Sequence, residues 1–177
     1  MKAFKRHSEK TSKRGEFVNE DLFLENANKY KQMVYRIALN YLANPYDADD
    51  IVQDTFLKFY LYKSPFQSDE HIRNWLIRVT INLCKNELRK PFRKSNIPLD
   101  ELSASIPFEH EEQSKLFESV MSLPEKHRVV LYLFYYEGLS VKEIAEMLKL
   151  NESAVTSRLS RGRKQLKLEL TGGACYA

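Results

Sequence analysis

Asp47, Asp50 and Asp54 recur at spacings of three and four residues, which lines them along one face of a helix. Carboxylates aligned in this way can hold a metal, serve as acid and base, or grip a cationic partner. A calcium loop is excluded. It requires Gly at its sixth place and Glu at its twelfth, and counted from Asp47 those places hold Val52 and Lys58. A carboxylate metal or hydrolase site would need a His or a further acid to converge, and none is apparent nearby. Compensation of the helix dipole accounts for Asp47 but fades before Asp54. Like charges at this spacing repel by roughly a few tenths of a kcal/mol per pair. A basic protein partner fits the stripe best, with Gln53 and the solvent-side Leu57 extending the patch.

The opposite charge collects near the C-terminus. Between 151 and 170 there are five basic residues and two acids, which suits phosphate contacts. Ser153, Thr156, Ser157, Ser160, Arg161 and Lys164 project from one helix face, with Arg158 beside them, while Val155, Leu159 and Leu166 form the buried side. Small hydroxyls allow close approach to base edges, and Arg can bond guanine in two places. In the segment before it, Ser140 and Glu143 make a capping box. Ile144, Ala145 and Leu148 are its buried residues, Leu150 sits in the turn, and Asn151 caps the next helix. This is a helix-turn-helix pattern. A plain helical hairpin with a solvated basic face shares the periodicity. The capping box, the small Ala145 at the crossing and the basic second helix together favour DNA.

A third polar face is less specific. His71, Asn74, Arg78, Asn82, Lys85 and Arg89 step by three or four residues. Asn can read adenine, and Arg and Lys can hold phosphate, but periodicity alone is described more simply by a solvated face opposite a core stripe. Just before it, Tyr60, Tyr62, Lys63 and Phe66 crowd around a Lys-Ser-Pro turn. Exposed aromatics there could stack unpaired bases for about 1–3 kcal/mol each, or they could cover the end of a small core. The residues support both readings equally.

These faces need helices to carry them. The 177 residues include only 5 Gly and 6 Pro, and long helix-forming runs dominate, so an all-α fold is expected. It divides into two small helical domains joined by a flexible linker, the C-terminal one a helix-turn-helix. Residues 1–19 carry six basic and two acidic groups and read as a basic flexible arm. Residues 20–92 form the first domain. Tyr30, Met33, Val34, Ile37, Ala38 and Tyr41 mark its first helix. Asn44, Pro45 and Asp47 start the second, with Ala48, Ile51, Val52, Thr55, Phe56 and Phe59 buried. Ile72, Trp75, Leu76, Val79, Leu83 and Cys84 line the third. Pro91, Pro98 and Pro107 interrupt the stretch that follows, and 93–113 is the linker. Residues 114–170 form the second domain, with Gly138 stopping a helix, and 171–177 are a tail.

Cys84 and Cys175 match no metal or redox spacing, so no structural metal and no cofactor are expected. No signal peptide or membrane span is recognisable, and the expected compartment is the cytoplasm. The net charge of +4 matters less than its distribution over the three faces.

Taken in order, "NPYDADDIVQDTFLKFY", "IRNWLIRVTINLCKNELRK" and "LPEKHRVVLYLFYYEGLSVKEIAEMLKLNESAVTSRLSRGRKQL" resemble a bacterial RNA polymerase sigma factor of the sigma-70 family, in its small extracytoplasmic-function (ECF) subfamily. The resemblance implies a sigma region 2 domain at 20–92 and a sigma region 4 domain at 114–170. It implies that Asp47, Asp50, Gln53, Asp54 and Leu57 dock on the polymerase clamp coiled coil, and that region 4 meets the polymerase flap. It implies that Tyr60, Tyr62, Lys63, Phe66, His71, Asn74, Arg78, Asn82 and Lys85 melt and read the minus-ten element. Ser153, Thr156, Ser157, Arg158, Ser160, Arg161 and Lys164 would read the minus-thirty-five element. The chain would not be an enzyme, and a separate anti-sigma factor, able to hold it at the membrane, would be a partner. Thr156, Ser160 and Gly162 depart from the family's usual residues, and a glycine inside a helix costs roughly 1 kcal/mol. Two other readings are a stand-alone helix-turn-helix repressor, which makes the acidic stripe incidental, and a metal enzyme built on Asp47–Asp54.

Overall fold

The computed structural model describes residues 17–91, 97, 98, 102 and 111–171. The expected basic arm through residue 16, most of the linker, and the tail beyond 171 with Cys175 lie outside the described residues. Among the described residues there are seven helices and no strand. They are α1 (Glu20–Leu42), α2 (Pro45–Tyr60), α3 (Asp69–Leu88), α4 (Glu111–Met121), α5 (Glu125–Tyr135), α6 (Val141–Leu148) and α7 (Glu152–Leu170).

Most helix starts are written in short polar side chains. The side-chain oxygens of Asn19, Asn44, Ser68 and Asn151 accept from backbone N–H groups of the first turns of α1, α2, α3 and α7, satisfying donors that have no partner within the helix. Pro45 takes the first position of α2. Ser140 and Glu143 close a reciprocal box at α6: Ser140 Oγ accepts from Glu143 N at 3.2 Å, and Glu143 Oε2 accepts from Ser140 N at 2.8 Å. The Ser140 hydroxyl, and then its N–H, hold the Glu143 carboxyl below the usual carboxylate range.

Two elements begin before the apolar pattern announces them. α1 starts at Glu20, ten residues ahead of Tyr30, because Phe23 reaches the aromatic core and lies 6.2 Å from the Phe59 ring. α4 starts at Glu111 and so takes in residues expected to be linker. Its acidic first turn suits the helix dipole, and Glu111 pairs with Lys115 at 2.8 Å.

The core has two parts. One surrounds Phe59 and gathers Tyr30, Val34, Val52, Phe56, Phe66, Ile72 and Leu76. The other runs from Ile37, Ile51, Ile77 and Ile81 through Leu102 of the linker to Val130, Leu133, Ile144, Val155 and Leu159. The two helical units therefore share one apolar cluster, and α1 packs against α5 as well as against α2 and α3. This sharing shifts the buried stripe of α3. Ile77, Thr80 and Ile81 are buried, while Trp75, Val79 and Leu83, expected at the core, are only partly so. The α2 stripe is the expected set without change.

The helix-turn-helix depends on two backbone details. Lys149 ends α6 at φ 58°, a left-handed conformation that costs a non-Gly residue roughly 1–2 kcal/mol. It lets Leu150 N donate to Ala145 O at 2.9 Å. Gly162 is buried where α7 meets α5, and a Cβ there would lie 2.9 Å from Leu131 Cδ1. The glycine that costs helix propensity thus permits close helix approach. Gly162→Val should destabilise the fold by about 1–3 kcal/mol through overpacking, measured by urea denaturation. Gly162→Ala should change it far less, because the gain in propensity offsets a small shift of the Leu131 side chain.

Candidate interfaces for a protein partner and for nucleic acid

The first surface is the outer face of α2. Its inner face is fully used by Ala48, Ile51, Val52, Thr55, Phe56 and Phe59, so residues at the complementary positions must face water. Asp50, Gln53 and Asp54 are exposed there and Asp47 is half-buried. Leu57 is 57% exposed, a large apolar side chain left uncovered at the end of the acidic stripe. Two residues that spacing could not reveal join from the end of α3 and the residues just after it: Glu87 and Lys90 line the same depression as Asp47, Asp50 and Asp54. Lys90 Nζ lies 2.6 Å from Glu87 Oε2. Its pKa is raised chiefly by that hydrogen bond, with smaller contributions from Asp54 and Asp47. Among the described residues no group of His, Cys, Asp or Glu is arranged to hold a metal.

The second surface is the turn between α2 and α3 with the polar face of α3. Lys63 is exposed, and Tyr60 is 55% exposed with its ring edge-on to Phe23 at 5.4 Å. Tyr62 is half-buried, 4.8 Å from the Phe66 ring and 4.9 Å from Trp75. For Phe66 the structure shows the second of the two readings, a ring that covers the end of the core. It is 3% exposed and packs on Phe59 at 5.6 Å, because the Ser64-Pro65 turn folds it inward over the end of the core. His71, Arg78, Asn82 and Arg89 are exposed on α3 and Asn74 is half-buried. His71 Nδ1 accepts from Gln67 N at 3.3 Å, and its ring lies edge-on to Phe66 at 5.2 Å. Asn74 Oδ1 is enclosed and bonded by no described residue. Lys85 departs from the pattern. Its ammonium donates to Leu148 O at 3.0 Å, and burial is the main cause pulling its pKa below the usual lysine range.

The third surface is the outer face of α7. Ser153, Thr156, Ser157, Ser160, Arg161 and Lys164 are exposed, opposite the buried Val155, Leu159 and Gly162. Thr156 Oγ1 donates to Glu152 O at 2.9 Å, so that hydroxyl offers outward only its acceptor capacity. Arg158 is half-buried and close enough to Tyr41 and Lys85 of the first unit to act on them electrostatically. Arg163 turns away from this face and lies over the Phe134 and Tyr135 rings at 5.7 and 5.6 Å. It belongs to a separate aromatic patch in which Tyr136 is 66% exposed. The "LFYYEG" run held that patch, but apolar and exposed aromatics look alike in sequence.

Comparison with known proteins adds three findings. The description "Sigma-70 region 2" matches residues 27–93 and "Sigma-70, region 4" matches residues 114–166. RNA polymerase sigma factor SigV of Bacillus subtilis (strain 168) is 30% identical over 148 residues, covering 80% of this chain and 87% of that protein. Two solved structures share the fold. The sigma factor RpoE in complex with the anti-sigma factor NepR, from Bartonella quintana, has a TM-score of 0.63 at 19% identity, covering 84% of this chain and 96% of that one. CnrH in complex with the cytosolic domain of CnrY has a TM-score of 0.59 at 25% identity, covering 88% and 92%.

The two aromatic roles separate in stability measurements. Phe66→Ala should cost about 3–5 kcal/mol in denaturant unfolding, as for a buried core ring, and Tyr60→Ala less than about 1 kcal/mol.

Proposed function

This chain belongs to the sigma-70 family of bacterial RNA polymerase sigma factors, in its extracytoplasmic-function subfamily, and on that premise we propose how its three exposed faces divide the work of promoter-specific transcription initiation. The observation that carries the proposal is the presence, on one chain and in the order of sigma regions 2 and 4, of one acidic and two basic polar helix faces, each backed by a buried apolar stripe.

The α2 face docks on core RNA polymerase. Asp50, Gln53 and Asp54, with Asp47 and Leu57 at its edges, offer negative charge around an uncovered apolar side chain. This is the arrangement that pairs with a basic helical surface: charge steers the approach and apolar contact slows departure. Glu87 extends the patch from α3. The exposed aromatics Tyr135 and Tyr136 give region 4 a separate contact with the polymerase flap.

The α3 face and the turn before it act on the minus-ten element. Asn74, half-buried on this face, is the proposed reader of adenine. Arg78, Asn82 and Lys85 hold phosphate, and Lys63 draws the strand to the turn. Tyr60 offers an exposed ring to an unpaired base, whereas Phe66 supports the turn from inside. Tyr62, tilted against both Phe66 and Trp75, links the two roles. Strand opening then draws on binding energy, because the stacking and phosphate contacts favour the separated strand. The chain hydrolyses nothing and is not an enzyme; the chemistry of RNA synthesis is the polymerase's.

The α7 face lies in the major groove at the minus-thirty-five element. Arg161 is the best candidate for a bidentate guanine contact, Lys164 holds phosphate, and Ser153, Ser157 and Ser160 keep the helix close to the base edges. The two units are weak binders singly, and holding both through the polymerase supplies avidity. No helix of the described residues is long and apolar enough to cross a membrane, and the proposed site of action is the cytoplasm. An anti-sigma protein is the proposed regulator; the similar RpoE forms a complex with the anti-sigma factor NepR.

The stand-alone repressor is not favoured, because it leaves the region 2 match and the acidic face without a task. Asp50→Lys with Asp54→Lys should weaken association with core polymerase by about tenfold to a hundredfold, read by competition binding; unchanged association would overturn the docking role. Arg161→Ala should cost about 1–3 kcal/mol of upstream-element discrimination, read by run-off transcription on promoter variants. Unaltered preference would remove Arg161 from the reading face.

A further inference from the structure

The turn between α2 and α3 is held differently at its two ends. At the α2 end, Tyr62 N donates to Phe59 O at 3.1 Å, and Phe59 is fully buried. At the α3 end the cap is local. Ser68 Oγ accepts from His71 N at 3.1 Å, and Ser68 O accepts from Ile72 N at 3.1 Å. Neither bond sets where the first turn of α3 sits against the rest of the unit. Asp69, the first residue of α3, supplies that link. Its Oδ1 accepts from Lys29 Nζ at 2.7 Å, and its Oδ2 accepts from Tyr30 O–H at 2.8 Å. Both donors belong to α1, 40 and 39 residues earlier in the chain.

The two donors are unequal. Lys29 and Asp69 keep side-chain exposures of 49% and 59%, and an ion pair so open to water adds little to stability. Tyr30 is 6% exposed, and its ring sits in the cluster that also seats Phe59 and Phe66. Its O–H therefore emerges at a fixed point on the edge of the core, with little side-chain freedom left to lose. Burial, and next the Asp69 hydrogen bond, raise the pKa of the phenol, so it stays a donor. The hydrogen bond from Lys29 is the main cause holding Asp69 below the usual carboxylate range, so it stays an acceptor on both oxygens. An acid in this first turn would suit the dipole of α3 with no partner at all. The dipole does not require a donor on each oxygen from consecutive residues of another helix. Two charge-assisted bonds of this kind fix the orientation of the carboxylate as well as its position.

Across the turn, Tyr60 and Lys63 are exposed and Tyr62 is half-buried. Capture of an unpaired strand is strongest when these groups are already in place, because ordering them on arrival subtracts from binding. We propose that Asp69 is a positioning residue for strand capture: fastened to Tyr30 and Lys29, it sets the α3 end of the turn against α1 and holds Tyr62 and Lys63 in line with the Tyr60 ring. Asp69 itself touches no DNA in this role, which rests on the assignment of the turn to the minus-ten element given above.

The test uses the full chain assembled with core polymerase, on the promoter most active in run-off transcription with the wild type. Recruitment is measured as binding to the closed duplex at low temperature. Opening is measured as the rate at which minus-ten thymines become reactive to permanganate. Tyr30→Phe removes the donor and keeps the ring in the core. It should slow opening about threefold to tenfold, and Asp69→Ala about tenfold, with recruitment within about twofold of the wild type. The double variant should open no more slowly than Asp69→Ala alone, because Tyr30 acts through Asp69. Unchanged opening in both single variants, losses that add in the double variant, or recruitment falling together with opening would overturn the proposal. If Asp69→Ala loses helical content by circular dichroism, Tyr30→Phe decides. Tyr60→Ala separates this role from the assignment beneath it. Slow opening there, with normal opening in the Asp69 and Tyr30 variants, removes Asp69 and leaves the assignment standing. Normal opening in all three removes both.

Discussion

A single buried guanidinium ties the fold together. Arg128 donates to Asn40 O near the end of α1, and to Met121 O and Leu123 O at the end of α4. Asn40 O and Met121 O are helix-terminal carbonyls, which have no partner in their own helices and carry the negative end of the helix dipole, while Leu123 O belongs to the turn before α5. They satisfy the charge where its hydrogen bonds require no carboxylate. Burial pulls the guanidinium's pKa down to about 10, against a smaller upward contribution from Glu125, so it stays charged at neutral pH. Without it, three buried carbonyls would lose their donor, and the turn between α4 and α5 would lose its link to α1.

That constraint explains why the apolar core does not end at a domain boundary. Once α5 is held against the end of α1, Ile77 and Ile81 of α3 share a cluster with Val130, Leu133 and Ile144. Leu102 of the linker is buried in the same cluster. The other cluster, around Phe59, belongs to the first unit alone, and it shapes the turn that carries Tyr60, Tyr62 and Lys63. One core therefore positions a candidate DNA surface, and the other controls how much of the adjoining α3 face is open.

Charge is sorted by the same logic. The acidic face of α2 and the basic face of α7 both lie opposite well-filled apolar stripes, so neither can turn inward. Their polarity is free to serve partners of opposite sign. On α3 the polar face competes with the second unit, and Lys85 and Arg73 are drawn into contacts that their neighbours His71 and Arg78 do not make.

The local pattern of residues was sufficient to determine the α2 stripe, the Asn44, Ser140 and Asn151 caps, the stop at Gly138 and the outward face of α7. Each follows from contacts within a few residues, where side-chain spacing and helix geometry decide the outcome. Only the tertiary structure decided that Phe66 lies inside, that α3 buries Ile77 and Ile81 in place of Val79 and Leu83, that Gly162 makes room for Leu131, and that Lys85 bonds a carbonyl 63 residues away. Those features depend on which helices meet and at what distance. A helix read alone shows which side is apolar, but not how many neighbours will cover it.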